Sequence, residues 1–119
     1  MAAMLPGHAQ ALDHPQPLTI ELSSFKFTPS TLTLKRGTAY RIHFVNVSSG
    51  GHDFVAKDFF AASTIAPEDR AKAAGGVVDV DGKEAVDITL VPDRSGTYKI
   101  RCGHFMHSSF GMTGTINVE

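Results

Sequence analysis

Leu18-Thr-Ile-Glu-Leu22 alternates apolar and polar residues, and Thr31-Leu-Thr-Leu34 repeats the pattern. Period two marks a strand with one buried face, and the intervening Phe25-Lys-Phe-Thr-Pro29 predicts a turn that joins the two as a pair. Lys35-Arg36-Gly37 reads as the next turn. From Ala39 to Val47, Tyr40, Ile42 and Phe44 fall on one face and Arg41, His43 and Val45 on the other, so the aromatics should be buried and His43 should point outward. Further strands are predicted over His52 to Ala56, Val77 to Val80, Glu84 to Val91, Gly96 to Cys102 and Met112 to Val118. Residues 57–75 break the period. Asp58-Phe-Phe-Ala-Ala and Pro67-Glu-Asp-Arg-Ala-Lys-Ala-Ala are rich in helix formers, with Pro67 suited to a first turn and Gly75-Gly76 to a stop. About eight strands at regular spacing, with a short helical insert at about 57–75, predict an all-β Greek-key sandwich. Glu68, Asp69, Arg70 and Lys72 read as a solvated face of that insert.

A chain of 119 residues has room for one ordinary domain, assigned here to 17–119. Residues 1–16 read as a flexible arm or the remnant of an export signal, because Ala9-Gln10-Ala11 is a small-x-small triplet of the kind that ends one. Eleven basic against twelve acidic residues leave a formal charge of −1, with no cationic excess to neutralise phosphates, so nucleic acid is excluded as an expected partner. No apolar run approaches the roughly 18–20 residues that cross a bilayer, and no membrane span is expected.

The single cysteine, Cys102, excludes an internal disulfide, a four-cysteine metal site and a Cys-x-x-Cys redox pair. Yet Arg101-Cys-Gly-His-Phe-Met-His-Ser-Ser-Phe-Gly-Met112 gathers Cys102, His104, His107 and Met112 just before the last predicted strand. A thiolate, two imidazoles and a weak axial thioether suit copper moving between its two oxidation states. One short loop cannot close a trigonal plane, and His52, after Gly50-Gly51 at a strand start, is the remote donor. Taken singly, each residue has a plainer reading: Cys102 as a small buried apolar residue, Met112 as core filler, and His52 as a hydrogen-bonded strand end. Their joint spacing is what separates the metal site from these. Met1, Met4, His8 and His14 are too scattered to form an auxiliary site.

On these residues the sequence resembles the cupredoxins, the superfamily of small blue-copper proteins that includes plastocyanin, azurin, rusticyanin and phytocyanin. The resemblance covers roughly 18–119 and is most specific in Cys102-x-x-x-x-His107-x-x-x-x-Met112, continuing as Gly111-Met112-Thr-Gly114-Thr-Ile-Asn-Val118. Phe25-Lys-Phe-Thr-Pro29 and Asn46-Val-Ser-Ser-Gly-Gly-His52-Asp-Phe54 resemble the family's early strands and first-histidine motif. Carried over by position, the resemblance implies His52, Cys102, His107 and Met112 as the ligands of one copper ion, cycling between Cu(I) and Cu(II). His104-Phe-Met-His107 stands where the family commonly has Pro-Gly-His, but the spacing to Met112 favours His107 over His104. Gly51 occupies the position whose carbonyl approaches the metal in azurins.

The resemblance further implies a periplasmic or secreted bacterial type 1 copper protein. It would be a monomer and no enzyme, carrying single electrons between transient redox protein partners. A copper-sequestering or delivery module is the alternative. Phe105, Met106 and Phe110, with Phe59 or Phe60, are expected to form an apolar docking patch around His107.

Overall fold

The computed structural model describes residues 12–103 and 112–119. Ten strands occur among them: β1 (Gln16–Ser23), β2 (Lys26–Thr28), β3 (Thr31–Leu34), β4 (Tyr40–Asn46), β5 (His52–Val55), β6 (Ser63–Ile65), β7 (Val77–Val80), β8 (Ala85–Pro92), β9 (Gly96–Arg101) and β10 (Thr113–Val118). They form two five-stranded sheets, ordered β2-β1-β4-β8-β6 and β3-β10-β9-β5-β7. The predicted all-β sandwich is therefore present, and the chain passes repeatedly from one sheet to the other.

The alternation read from Ala39 to Val47 is realised in β4. Tyr40, Ile42, Phe44 and Asn46 are buried, whereas Arg41 is exposed and His43 and Val45 are partly so. Phe44 from one sheet and Phe54 from the other meet with ring centroids 4.8 Å apart, and Phe27 and Phe60 stand 5.5 and 6.1 Å from Phe54. Each such aromatic pair adds about 0.5–1.5 kcal/mol beyond the apolar area it buries. His43 points outward as expected, with Nδ1 2.7 Å from Asp87 Oδ1 across the β4–β8 pair.

Three expectations need correction. β1 and β3 are not a pair: Phe25 takes a positive φ of 66°, so Lys26–Thr28 folds back on β1 as a strand, and β3 crosses to the other sheet, parallel to β10. The gain is burial of Phe27.

The insert is not uniformly helical. Helix α1 (Lys57–Ala61) is followed by β6, whose Ser63, Thr64 and Ile65 pair with Pro92, Val91 and Leu90, and only then by a 3-10 segment, Pro67–Gly76. Two β-branched residues at an open sheet edge outweigh the helix formers around them.

Asp69 is not on a solvated face either. It is 7% exposed, accepting the Thr89 N–H on Oδ2 at 2.9 Å and the Lys72 ammonium on Oδ1 at 2.7 Å. Beyond the end of β6 the Thr89 carbonyl takes the Ala66 N–H, and Asp69 supplies the acceptor that strand pairing no longer provides.

Candidate metal centre

The site is built where three strand ends of one sheet converge. β5 pairs with β9 at Val55 and Arg101, and β9 pairs with β10 at Arg101 and Thr113. One residue further, Cys102 donates its N–H to the Met112 carbonyl at 3.0 Å. Arg101 and Thr113 are exposed, so the period of two turns the next residues, Cys102 and Met112, inward, and both are fully buried. His52 opens β5 on the same inner face, 4% exposed.

Cys102 Sγ lies 3.9 Å from His52 Nδ1. Two donors on one first-row metal, at about 2.0–2.3 Å with a trigonal angle between them, lie about 3.8 Å apart. The observed separation thus fits a shared ion, and a buried thiol, imidazole and thioether form the donor set expected for copper.

His107 and His104 fall in 104–111, outside the described residues, and so do Phe105, Met106 and Phe110 of the expected docking patch. Among the described residues, three of the four expected ligands come to one end of the sandwich, and no cluster of three or more His, Cys, Asp or Glu side chains is present. Phe59 and Phe60 do not join a surface patch. They are 1% and 5% exposed and stack in the core, Phe59 against Tyr98 at 5.8 Å.

Two polar residues beside the site carry more than the sequence reading gave them. Asn46 is 1% exposed and its amide is fully used: Nδ2 donates to the carbonyls of Gly50 at 2.9 Å and Val80 at 3.0 Å, while Oδ1 accepts the Ser48 N–H at 3.0 Å and the Ser48 hydroxyl at 2.7 Å. The signal was present, because period two puts Asn46 on the same inward face as Tyr40, Ile42 and Phe44. Asp53, next to His52, accepts the N–H of Gly103, next to Cys102. That contact ties the segments that carry His52 and Cys102 together from outside, across fifty residues of sequence.

Two mixed five-stranded sheets are closed over an aromatic core, with soft and imidazole side chains at one end. The chain belongs to the cupredoxin-like domain family, whose model matches residues 1–118. No curated protein sequence matches it closely enough to count as a relative. Among solved structures, auracyanin from the photosynthetic bacterium Roseiflexus castenholzii, reduced with dithionite, is 18% identical with a TM-score of 0.64, over 87% of this chain and 97% of that one. Auracyanin B is 23% identical with a TM-score of 0.62, over 88% and 90%. A multicopper oxidase from Pseudomonas thermotolerans is 16% identical with a TM-score of 0.69, but the match covers 91% of this chain and 30% of the oxidase. At these identities the likeness establishes the fold. No helix among the described residues is long and apolar enough to cross a membrane.

Proposed function

We propose that this cupredoxin binds one copper ion through His52, Cys102, His107 and Met112 and carries single electrons between protein partners in an exported compartment, without transforming a substrate. The observation that carries the reading is the buried 3.9 Å approach of Cys102 Sγ to His52 Nδ1, with Met112 buried opposite Cys102. Copper supplies the reversible one-electron couple. The protein's part is to hold its donors still: His52 and Cys102 start from strands of one sheet, and Asp53 bonds to Gly103 outside them. A rigid donor frame keeps reorganisation between oxidation states small, and burial with hydrogen bonding around the sulfur sets the potential.

The test is to add Cu(II) to the purified protein and record its visible spectrum. An intense thiolate-to-copper band is expected, and Cys102→Ser should abolish it. A colourless copper complex overturns the assignment. His107→Gly should lose the band and regain it with external imidazole, while His104→Ala should shift it only slightly; the reverse result exchanges the two histidines. Rapid self-exchange of electrons identifies a carrier, whereas ready transfer of Cu(I) to an acceptor protein identifies a delivery module.

A further inference from the structure

His52 is reached through Val47-Ser-Ser-Gly-Gly51, a segment outside both sheets that ends in two glycines. Such a segment has little reason to hold one shape, since fixing backbone costs conformational entropy and glycine loses the most freedom. Three of its carbonyls nevertheless accept hydrogen bonds. Lys83 Nζ donates to Val47 O at 2.7 Å, and Lys83 N donates to Ser48 O at 3.0 Å. Gly50 O accepts from Asn46 Nδ2 at 2.9 Å, with Ser48 Oγ 3.0 Å away. Between them, Ser49 O lies where a Cβ on Gly82 would stand, and Gly50 N lies 3.2 Å from the same point. Asn46 N, at the root of the segment, donates to Glu84 O at 2.9 Å, and Asn46 Nδ2 also reaches Val80 O.

Much of this support comes from one place, the turn Asp81-Gly-Lys-Glu84 between β7 and β8. Lys83 takes a positive φ of 64°, and Glu84 N bonds back to Asp81 O at 3.0 Å. That closed turn aims the Lys83 N–H and its ammonium at two successive carbonyls. Gly82 must lack a side chain for the two segments to touch, and its own φ carries no such demand.

We propose that the β7–β8 turn is the positioning element for His52: a clasp, made by Gly82 and Lys83, that fixes the imidazole relative to Cys102. The inference rests on His52 being a metal ligand. It deepens that reading by assigning the control of ligand geometry to a turn that supplies no donor to the metal.

Gly82→Ala tests it. The added methyl would push on the Ser49 carbonyl and displace the segment that ends at His52. Gly76→Ala is the matched control. Its Cβ would meet the Lys57 backbone at 2.5 Å, and its φ of +79° adds strain, so it too should destabilise the fold, without touching the His52 segment. With Gly82→Ala, retention of Cu(I) against a chelator should weaken about 10–100-fold, as for other residues that orient metal ligands, and the charge-transfer band should shift. With Gly76→Ala both should match the wild type.

Lys83→Met removes the ammonium bond with no clash. It should shift the band in the same direction by less, which keeps the test open if Gly82→Ala fails to fold. In the metal-free protein, amide resonances of 50–53 and the His52 ring resonances should move in Gly82→Ala and stay in Gly76→Ala. Unchanged copper retention and resonances in folded Gly82→Ala, or in Lys83→Met, overturn the clasp. A wild type that takes up copper without colour overturns the ligand reading instead, and the metal-free resonances still decide whether the turn positions His52.

Discussion

Asn46 and Asp69 occupy opposite ends of the β4–β8 ladder and solve the same problem with different chemistry. Each is a polar side chain buried where strand pairing runs out, and each satisfies backbone groups that would otherwise be orphaned. At the far end, within the 3-10 segment, Asp69 uses a carboxylate, with the half-exposed Lys72 ammonium as counter-charge. At the end that carries His52 and Cys102, Asn46 uses a neutral amide whose two donated and two accepted bonds are all made within the protein. The difference teaches where fixed charge is tolerated. A neutral anchor holds the His52 segment without adding a buried charge near a centre whose own charge, under the proposed function, would change by one with each electron, whereas the remote insert can be pinned by an ion pair that water partly screens.

The largest expected effect comes from Asn46→Ala, which strands the Val80 carbonyl and leaves that of Gly50 with only the Ser48 hydroxyl, 3.0 Å away. Urea unfolding of the metal-free protein should show a loss of about 2–3 kcal/mol, and copper retention should fall with it. The same stability loss with copper spectrum and retention unchanged would break the comparison, because Asn46 would then be an anchor like Asp69 and nothing more.

The sequence made one of these anchors legible and hid the other. Asn46 follows Tyr40, Ile42 and Phe44 at every second residue, so its burial could be read from period two alone. Asp69 sits among Glu68, Arg70 and Lys72, and only the tertiary position of the unpaired Thr89 N–H makes it a buried acceptor. The same reason hides β6, three residues whose strand conformation depends on the edge of β8. The two-sheet sandwich was legible because it rests on alternation repeated in many segments. The pairing of β1 was not, because Lys26–Thr28 has only one inward residue, Phe27, to announce it. At the metal end, the inward turn of Cys102 and Met112 follows from their strands. The bond from Gly103 to Asp53 joins residues with no local relation, and no sequence pattern points to it.

A smaller effect should follow from Asp69→Ala. The Thr89 N–H loses its acceptor, while Lys72, 44% exposed at its side chain, keeps its bond to the Asp87 carbonyl at 3.0 Å, so the cost should be about 1–2 kcal/mol in urea unfolding. Asp69→Asn should recover part of it by keeping the bond to Thr89. Neither variant should move the copper spectrum. A spectral shift in Asp69→Ala would show that the insert and the metal end are coupled through β8, and would remove the distinction between the two anchors.

The smallest effect is expected at His43, and it bounds how far the charged end matters at all. His43 Nδ1 stands 2.7 Å from Asp87 Oδ1, a short contact that invites a large assignment, yet the two side chains are 45% and 38% exposed. At that exposure water competes for both groups, and pairs of this kind contribute about 0–1 kcal/mol. Asp87 also keeps Arg41, whose Nη2 lies 3.6 Å from its other carboxylate oxygen, so removing the imidazole does not strand a buried charge. The backbone pairing of β4 with β8 at this position is independent of either side chain. His43→Ala should therefore stay within about 0.5 kcal/mol of the wild type in urea unfolding, with an unchanged copper spectrum. A loss well above 1 kcal/mol would mean that Arg41, His43, Asp87 and Lys72 act as one cooperative network, and the charged end would then rival the Asn46 end in holding the two sheets in place.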